Sequence, residues 1–419
     1  MLHLPTLLIQ VGVILLVARL VGLVFRKLHQ PQVIGEMIAG ILLGPSLLGW
    51  LAPDISAALF PPESLGFLNA LSQIGLLLFM FLVGLEFDPN MLRSQGRAAV
   101  VTSQASIVAP FILGAGLAFY LYPKLSDASV SFTSFALFMG IAMSITAFPV
   151  LARILTERKM LRSKVGAMAI TCAAVNDVTG WSILAAIVLF VQANSSAHPI
   201  WLTLVGTAVY IVVMIWGVRP LLQRLEGTFQ KWGISQDMMT LIFLVILVSG
   251  LVTEWLGIHA LFGAFLAGVI MPKQHSFVHA LTEKLEYVAI VLLLPLFFAF
   301  TGLRTSVGLL NGADLWFYCA LIILVAVAGK FGGSTVAARA MGMSWREASS
   351  VGVLMNTRGL MELVVLNIGL DIGILSPTLF AMMVIMAIVT TVMTAPLLQW
   401  IYFASPPSYE STVEAKTTA

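Results

Sequence analysis

Apolar stretches of about eighteen or more residues recur along this chain from residue 4 to residue 402, broken only by short polar or Pro/Gly-containing joints. Each is long enough to cross a hydrocarbon layer ~30 Å thick as a helix. A backbone in lipid has no water to bond, so only helices or a closed barrel can span it. A barrel needs shorter segments of alternating polarity, and this sequence shows none. With 59% of its 419 residues hydrophobic and 10% charged, against roughly a quarter charged in a soluble domain, the chain reads as an all-α polytopic membrane protein. Its partner is then membrane lipid. A net charge of +3 carried by dispersed basic residues gives no patch for nucleic acid. Cys172 and Cys319 fall inside apolar segments, which speaks against a disulfide framework. Met1 to Arg26 lacks a basic start and outruns a signal core, so it reads as a retained helix. No HExxH, GxSxG or Walker-type sequence occurs, and nothing suggests an enzyme.

Charge and Pro/Gly clusters divide the apolar sequence into thirteen candidate spans, at about 4–25, 31–48, 65–86, 97–121, 132–155, 163–193, 199–222, 237–256, 258–271, 283–303, 313–340, 345–370 and 376–402. The ninth runs almost directly from the eighth, so twelve is the alternative count. Cytoplasmic loops collect Lys and Arg. With the N-terminus outside and the C-terminus cytoplasmic, the inward loops and tail hold seventeen basic residues, among them Arg93, Arg153, Arg162, Lys284 and Lys416. The outward loops hold two, Lys124 and Arg304, and three more, Arg19, Lys330 and Arg358, fall within spans. One missed helix would invert every later loop, so the asymmetry supports the count.

The sequence also repeats. LLLFMFLVGLEFDPNML (76–92) aligns with LLLPLFFAFTGLRTSVGLL (292–310), Gly84-Leu85 on Gly302-Leu303, and AGILLGP (39–45) echoes AGVIMP (267–272). An odd number of helices, seven, separates these partners, so two six-helix repeats joined by the seventh span would insert with opposite polarity. Inverted repeats mark secondary transporters, whose site lies near the midplane on broken helices.

Asn176 and Asp177 sit in mid-helix within AAVNDVTGW (173–181). A carboxylate there costs about 2.5–3.5 kcal/mol on insertion scales and is retained for a pathway or a partner. Competition between a proton and a dehydrated cation for one carboxylate is the simplest exchange mechanism; an ion pair that only locks helices is the structural reading. Pro149, in SITAFPVLARIL (144–155), interrupts the fifth span just after Thr146. Proline lacks an N–H and clashes one turn back, so carbonyls near 145–147 are expected to be open to a cation, beside the Thr146 hydroxyl. The counterpart NTRGLMEL (356–363), with Thr357 and Gly359, also looks broken. Its Arg358 and Glu362 share a helix face and are expected to pair, fixing the unwound region rather than binding substrate. Lys330, in VAGKFGGST (327–335), is flanked by glycines that allow close helix approach. The acids Asp177 and Glu362 balance the bases Lys330 and Arg358, so Lys330 is either Asp177's partner or a structural lysine bonded to carbonyls. Glu36, Glu86 and Asp88 read as solvated helix ends rather than a cation funnel, and His275 and His279 as interfacial.

VIGEMIAGILLGPSLLG (33–49), GLLLFMFLVGLEFD (75–88), the broken TAFPVLARIL, the Asn-Asp pair, the Gly-Lys of the eleventh span and NTRGLMELVVLNIG (356–369) together resemble the monovalent cation/proton antiporter superfamily. The resemblance covers residues 1 to about 402 and is nearest the branch holding plant cation/proton exchangers and the membrane domain of bacterial glutathione-gated potassium-efflux transporters. It implies the sodium/proton-antiporter fold with two crossed broken helices, and a homodimer. Scaffold and dimerisation helices would lie at 1–92 and 234–308, core ion-transport helices at 93–195 and 309–402, a linker helix at 196–233 and a cytoplasmic tail at 403–419. It implies Asp177 as the essential carboxylate and Thr146 in the crossing segment, the two expected to hold the monovalent cation. Lys330 would sit at the family's basic position, and an elevator-like motion would carry the site between the two faces.

Electrogenic members carry Asp-Asp where this chain has Asn176-Asp177. Asn-Asp goes with electroneutral exchange, although those members often have arginine at the position of Lys330. The function expected is exchange of Na+ or K+ for H+ without a cofactor, in the inner or plasma membrane of a bacterium and serving pH homeostasis. A cation channel lined by Asp177 and an organic-anion symporter on the same fold are the other readings. The potassium-efflux relatives carry a nucleotide-binding regulatory domain with no counterpart in this sequence.

Overall fold

The computed structural model describes residues 4–86, 97–161, 163–195 and 200–403. Asp88, Arg93, Arg162 and the tail with Lys416 lie outside the described residues. Among those described there is helix and no strand. The chain opens with α1 Leu4–Lys27, α2 Gln32–Leu43, two short helices at Leu48–Leu51 and Pro53–Leu59, α3 Pro62–Glu86 and α4 Arg97–Leu125. A broken pair follows, α5 Phe132–Ala142 and α6 Phe148–Glu157, then the long α7 Lys164–Ser195. Next are α8 Ile200–Val212, α9 Arg219–Trp232, α10 Gln236–Trp255 and the short α11 Ala260–Ile270. The last third holds α12 His275–Glu286, α13 Leu294–Leu303, α14 Ala313–Val327, α15 Gly333–Ala340, a second broken pair α16 Trp345–Met355 and α17 Leu360–Asp371, and α18 Pro377–Leu398.

Local chemistry sets several of these boundaries. Ser131, Ser235, Ser344 and Ser376 open α5, α10, α16 and α18, each accepting the amide three residues on that a helix start leaves unpaired. At Ser344 the Glu347 carboxylate returns the bond to the Ser344 amide, completing a capping box. The π turns Val213–Val218 and Tyr287–Leu293 join α8 to α9 and α12 to α13, and each leads into a proline, Pro220 and Pro295. A wider turn lets the chain pass the carbonyl that the proline ring would otherwise strike.

Every expected span meets a helix or a helix pair. Among the described residues ten helices are long and apolar enough to cross a membrane, or eleven with α16 and α17 counted as one span bent by 44°. The fifth span is split into 11 and 10 residues and the ninth has only 11, so length alone does not make them crossings. In α1, 22% of the most apolar window is buried, against 61% in α18; α1 therefore lies on the rim, with Leu8, Ile9, Leu16 and Leu20 exposed, while α18 is central. Such apolar exposure suits lipid rather than water.

Two glycine contacts draw early and late helices together. A Cβ on Gly84 of α3 would lie 2.1 Å from Phe265 O of α11, and one on Gly268 of α11 would lie 2.9 Å from Gly84 C. A Cβ on Gly302 of α13 would lie 2.0 Å from Gly40 C of α2, and one on Gly40 2.3 Å from Phe298 O. Only glycine fits such approaches. These four are the glycines aligned by the sequence repeat, Gly84 with Gly302 and Gly40 with Gly268. Beside the first pair, Lys273 Nζ donates to Gly84 O and Leu85 O at 2.8 Å and to Gly268 O at 3.0 Å, closing the carbonyl ends of α3 and α11.

Candidate ion site at two interrupted helices

Proline and glycine build the floor of the site. Pro110 in α4 has no amide to offer Ser106 O four residues back. Gly329 and Gly333 let the α14–α15 segment settle on that stretch, where Cβ atoms would sit 2.7 Å from Pro110 Cα and 2.6 Å from Ala109 Cβ. The π turn Ala328–Gly332 there carries Lys330, whose Nζ donates to Ser106 O at 3.0 Å and to Ser144 O. Ser144 belongs to the break between α5 and α6. Lys330 is thus held by one carbonyl that a proline orphaned and another that a helix break exposed. It makes no salt bridge with Asp177 among the described residues; of the two arrangements expected for Lys330, the carbonyl-bonded one is present.

The breaks meet each other. Ala147 N donates to Thr357 O, and Thr146 Oγ1 to Met355 O, both at 3.0 Å. Asn176 of α7 fastens the junction from the side: its Oδ1 accepts Thr146 N and its Nδ2 donates to Ser106 Oγ, each at 3.0 Å. Arg358, fully buried in the second break, pairs with Glu362 Oε2 at 2.8 Å and donates to Ala142 O at 2.8 Å and Met143 O at 2.6 Å. Its amide donates to Thr391 Oγ1 at 2.9 Å, and that hydroxyl donates to Arg358 O at 2.7 Å. Of the carbonyls near 145–147 expected to be open, Ala147 O is taken by the Leu151 amide, and the carbonyls just before them are bonded by protein as well, Ala142 and Met143 by Arg358 and Ser144 by Lys330. Thr146 is fully buried with its hydroxyl committed to Met355.

A cavity of about 580 Å³ reaches Asp177 from the end of the molecule that carries the first turn of α2, the last turn of α3 and the second half of α12. Its polar lining includes Asp177, Thr171, Glu36, Glu86, Glu286 and Arg153, and apolar side chains such as Phe79, Leu82 and Phe298 form much of the rest. Phe148 to Val150 and Leu360, which begin the second halves of both broken helices, also line it; Thr146, Lys330, Arg304 and Asp371 do not. Asp177 is 5% exposed. The Phe148 amide, in the first turn of α6, lies beside its carboxylate, and Oδ1 has no hydrogen-bond partner. A carboxylate at a helix start meets unpaired amides and the positive end of the helix dipole. Near the mouth, Gln32 Nε2 donates to Glu36 Oε1 at 3.1 Å and Arg153 Nη2 to Gln32 Oε1 at 3.4 Å.

Glu36 and Glu86, read from sequence as solvated helix ends, share the cavity with Asp177. Thr171, Glu286, Ser106 and Ser144 were not singled out. Helical spacing does mark one of them, because Thr171, Ala174 and Asp177 or Val178 recur every three or four residues and line one wall. Pro110 likewise marks Ser106 O as a carbonyl in want of a donor. His275 and His279 lie with ring centroids 6.3 Å apart on α12, away from the cavity wall.

A family model described as sodium/hydrogen exchanger, transmembrane, matches residues 12–402. The chain is similar to the Na(+)/H(+) antiporter NhaS4 of Synechocystis, 46% identical over 392 residues covering 93% of this chain and 95% of that protein. It is 42% identical over 401 residues to cation/H(+) antiporter 17 of Arabidopsis thaliana and 34% identical over 415 to K(+)/H(+) antiporter 1 of Saccharomyces cerevisiae. These matches cover 95% and 97% of this chain but only 48% and 47% of the plant and yeast proteins. The solved structure of the sodium proton antiporter MjNhaP1 from Methanocaldococcus jannaschii at pH 8 matches with a TM-score of 0.66 at 17% identity, over 95% of this chain and 99% of that one.

Proposed function

The chain belongs to the sodium/hydrogen exchanger family, and from that premise we propose that it exchanges Na+ or K+ for H+ across a membrane, with Asp177 as the group for which ion and proton compete. The carrying observation is Asp177 itself, a 5% exposed carboxylate on a cavity wall with Oδ1 unpartnered. A cation arriving there must shed water, and one carboxylate in an apolar setting compensates that loss only when deprotonated. Binding the cation therefore releases the proton, and rebinding a proton expels the cation. Glu36, Glu86 and Glu286 on the cavity wall draw cations toward it.

One-sided access favours alternating access over a channel, because the cavity wall holds no residue from the opposite ends of α13 or α17. Lys330 stands off the wall, bonded to two carbonyls, which leaves an organic-anion symporter without its counter-charge. The same placement supports electroneutral exchange: one carboxylate meets the pathway, and the buried lysine beside it is committed elsewhere. An elevator motion fits if α4 to α7 and α14 to α18 move as the core against a scaffold of α1 to α3 and α10 to α13, the two repeats inserting as thirteen crossings. The matched glycine pairs Gly84–Gly268 and Gly302–Gly40 support that repeat. A homodimer through the scaffold, and the plasma membrane of a bacterium with the cavity mouth in the cytoplasm, complete the proposal; the cyanobacterial relative and the inward bias of basic residues support the location and orientation.

The test is proton movement from proteoliposomes on adding sodium, potassium or lithium. The native chain should release protons with at least one of them, and Asp177→Asn should abolish the response. Exchange at the native rate by that variant would refute the proposal.

A further inference from the structure

On the face opposite the cavity mouth, charged and amide side chains join two helices that the transport reading assigns to different moving parts. Glu286 ends α12 at the mouth. Arg304 follows α13 at the far end of the same continuous helix, roughly 27 Å away by helical rise. Arg304 Nη2 pairs with Asp371 Oδ1 at 2.6 Å, and Nη1 donates to Asn367 Oδ1 at 3.1 Å. Asn367, 5% exposed, donates in turn to Thr301 Oγ1 at 2.9 Å. Asp371 also lies in electrostatic range of His259, in the joint between α10 and α11, which itself feels Glu254. Asn367 and Asp371 belong to α17, the half-helix whose first residue, Leu360, lines the Asp177 cavity.

We infer that Arg304 is a positioning residue for transport: its bonds to Asn367 and Asp371 hold the outer end of α17 against α13, keep this face shut while Asp177 faces the cavity, and must part before the site opens on this side. The inference rests on the alternating-access reading above. A simple cap on the C-terminus of α17 would need only the ion pair. Here the arginine also takes a buried asparagine whose amide is tied back to Thr301 of α13, so several bonds on two elements open together or not at all. The Arg304 and Asp371 side chains are 25% and 40% exposed, and water weakens such a pair. That suits a contact made and broken in each cycle better than a permanent weld.

The experiment introduces Ala174→Cys, on the cavity wall, and labels it with a membrane-impermeant thiol reagent from the mouth side. Cys172 and Cys319 are buried, and the chain without the new cysteine gives the background. Asp371→Asn should lower the labelling rate about threefold, the scale of a water-screened ion pair, and should raise the mouth-side KM for cation more than it alters kcat. Arg304→Asp combined with Asp371→Arg should restore both. Unchanged labelling and KM in Asp371→Asn would overturn the inference, as would a fall that the exchanged pair does not reverse. Asp371→Asn is nearly isosteric at a half-exposed position, so folding is preserved. Labelling does not depend on which ion is carried, so failure of the proton-exchange reading, seen as retained transport in Asp177→Asn, is separable from failure of this one.

Discussion

Among the described residues four Asp, Glu, Lys or Arg side chains are buried, Asp177, Lys330, Arg358 and Glu362, and of these only Asp177 lines the cavity. The other three are spent on holding the broken helices in place. Separating Arg358 from Glu362 should therefore cost stability rather than alter ion choice: Glu362→Leu leaves a buried guanidinium without its carboxylate, worth about 3–5 kcal/mol. A large drop in the unfolding temperature in detergent is expected, and an unshifted one would show that the pair carries little. Asn176→Ala removes the acceptor for the Thr146 amide and the donor to Ser106 Oγ, a penalty of about 1–3 kcal/mol for each buried group left unmade. Its maximal transport rate should fall at least tenfold while Asp177 is retained, because the breaks would no longer be tied to α7; a native rate would mean that Asn176 only fills space. That these residues are buried inside the bundle was legible in the sequence, since each charge falls within an apolar span. Partners four residues apart, such as Arg358 and Glu362, were legible too, although Arg358 lies in the break before α17 rather than on its face. Partners on other helices were not: that Lys330 meets Ser106 O and Ser144 O rather than Asp177 depends on which faces of α4, α14 and the α5–α6 break come together, and hydropathy does not record that.

Elements fared differently from contacts. Apolar length and punctuating prolines placed most helices within a few residues, although the seventh runs on to Trp232, past the expected 222, and the tenth starts at His275, before the expected 283; Pro149 with Gly359 located both breaks, because a missing amide and a missing Cβ are properties of the residue itself. The π turn at Lys330 and the role of Pro110 escaped, since a proline inside a helix reveals an orphaned carbonyl but not what will take it. Pro110→Ala tests that role. A new amide at 110 would bond Ser106 O within α4 and compete with Lys330 Nζ, leaving the ammonium with Ser144 O. Exchange should slow and its pH dependence shift, even though a proline removed from a helix usually stabilises it. An unchanged pH profile would show that Lys330 does not need the Pro110-freed carbonyl. Gly302→Ala probes the scaffold instead. Its methyl would lie 2.0 Å from Gly40 C, so α13 and α2 must separate at about 1–3 kcal/mol of overpacking, and poor expression or early unfolding is the expected outcome.

At the scale of the whole molecule, the number of charges moved per cycle decides what the transporter can do with a membrane potential. The electroneutral proposal makes one carboxylate serve one proton or one monovalent cation, with Lys330, bonded to two carbonyls and off the cavity wall, left out of the exchange. The steady cation gradient then equals the imposed proton gradient at any voltage. Were Lys330 to release a proton in each cycle, one net charge would cross. About 100 mV would add roughly 2.3 kcal/mol, which is close to a fiftyfold change in the final cation ratio. Proteoliposomes held at a fixed pH difference, with the potential clamped at zero or at about 100 mV, separate the two cases without any assumption about which side the mouth faces. The native chain is expected to reach the same sodium or potassium ratio under both clamps. A ratio that moves by more than about tenfold would place a second titrating group on the pathway, and Lys330, the buried base nearest the site, would be the one to replace next.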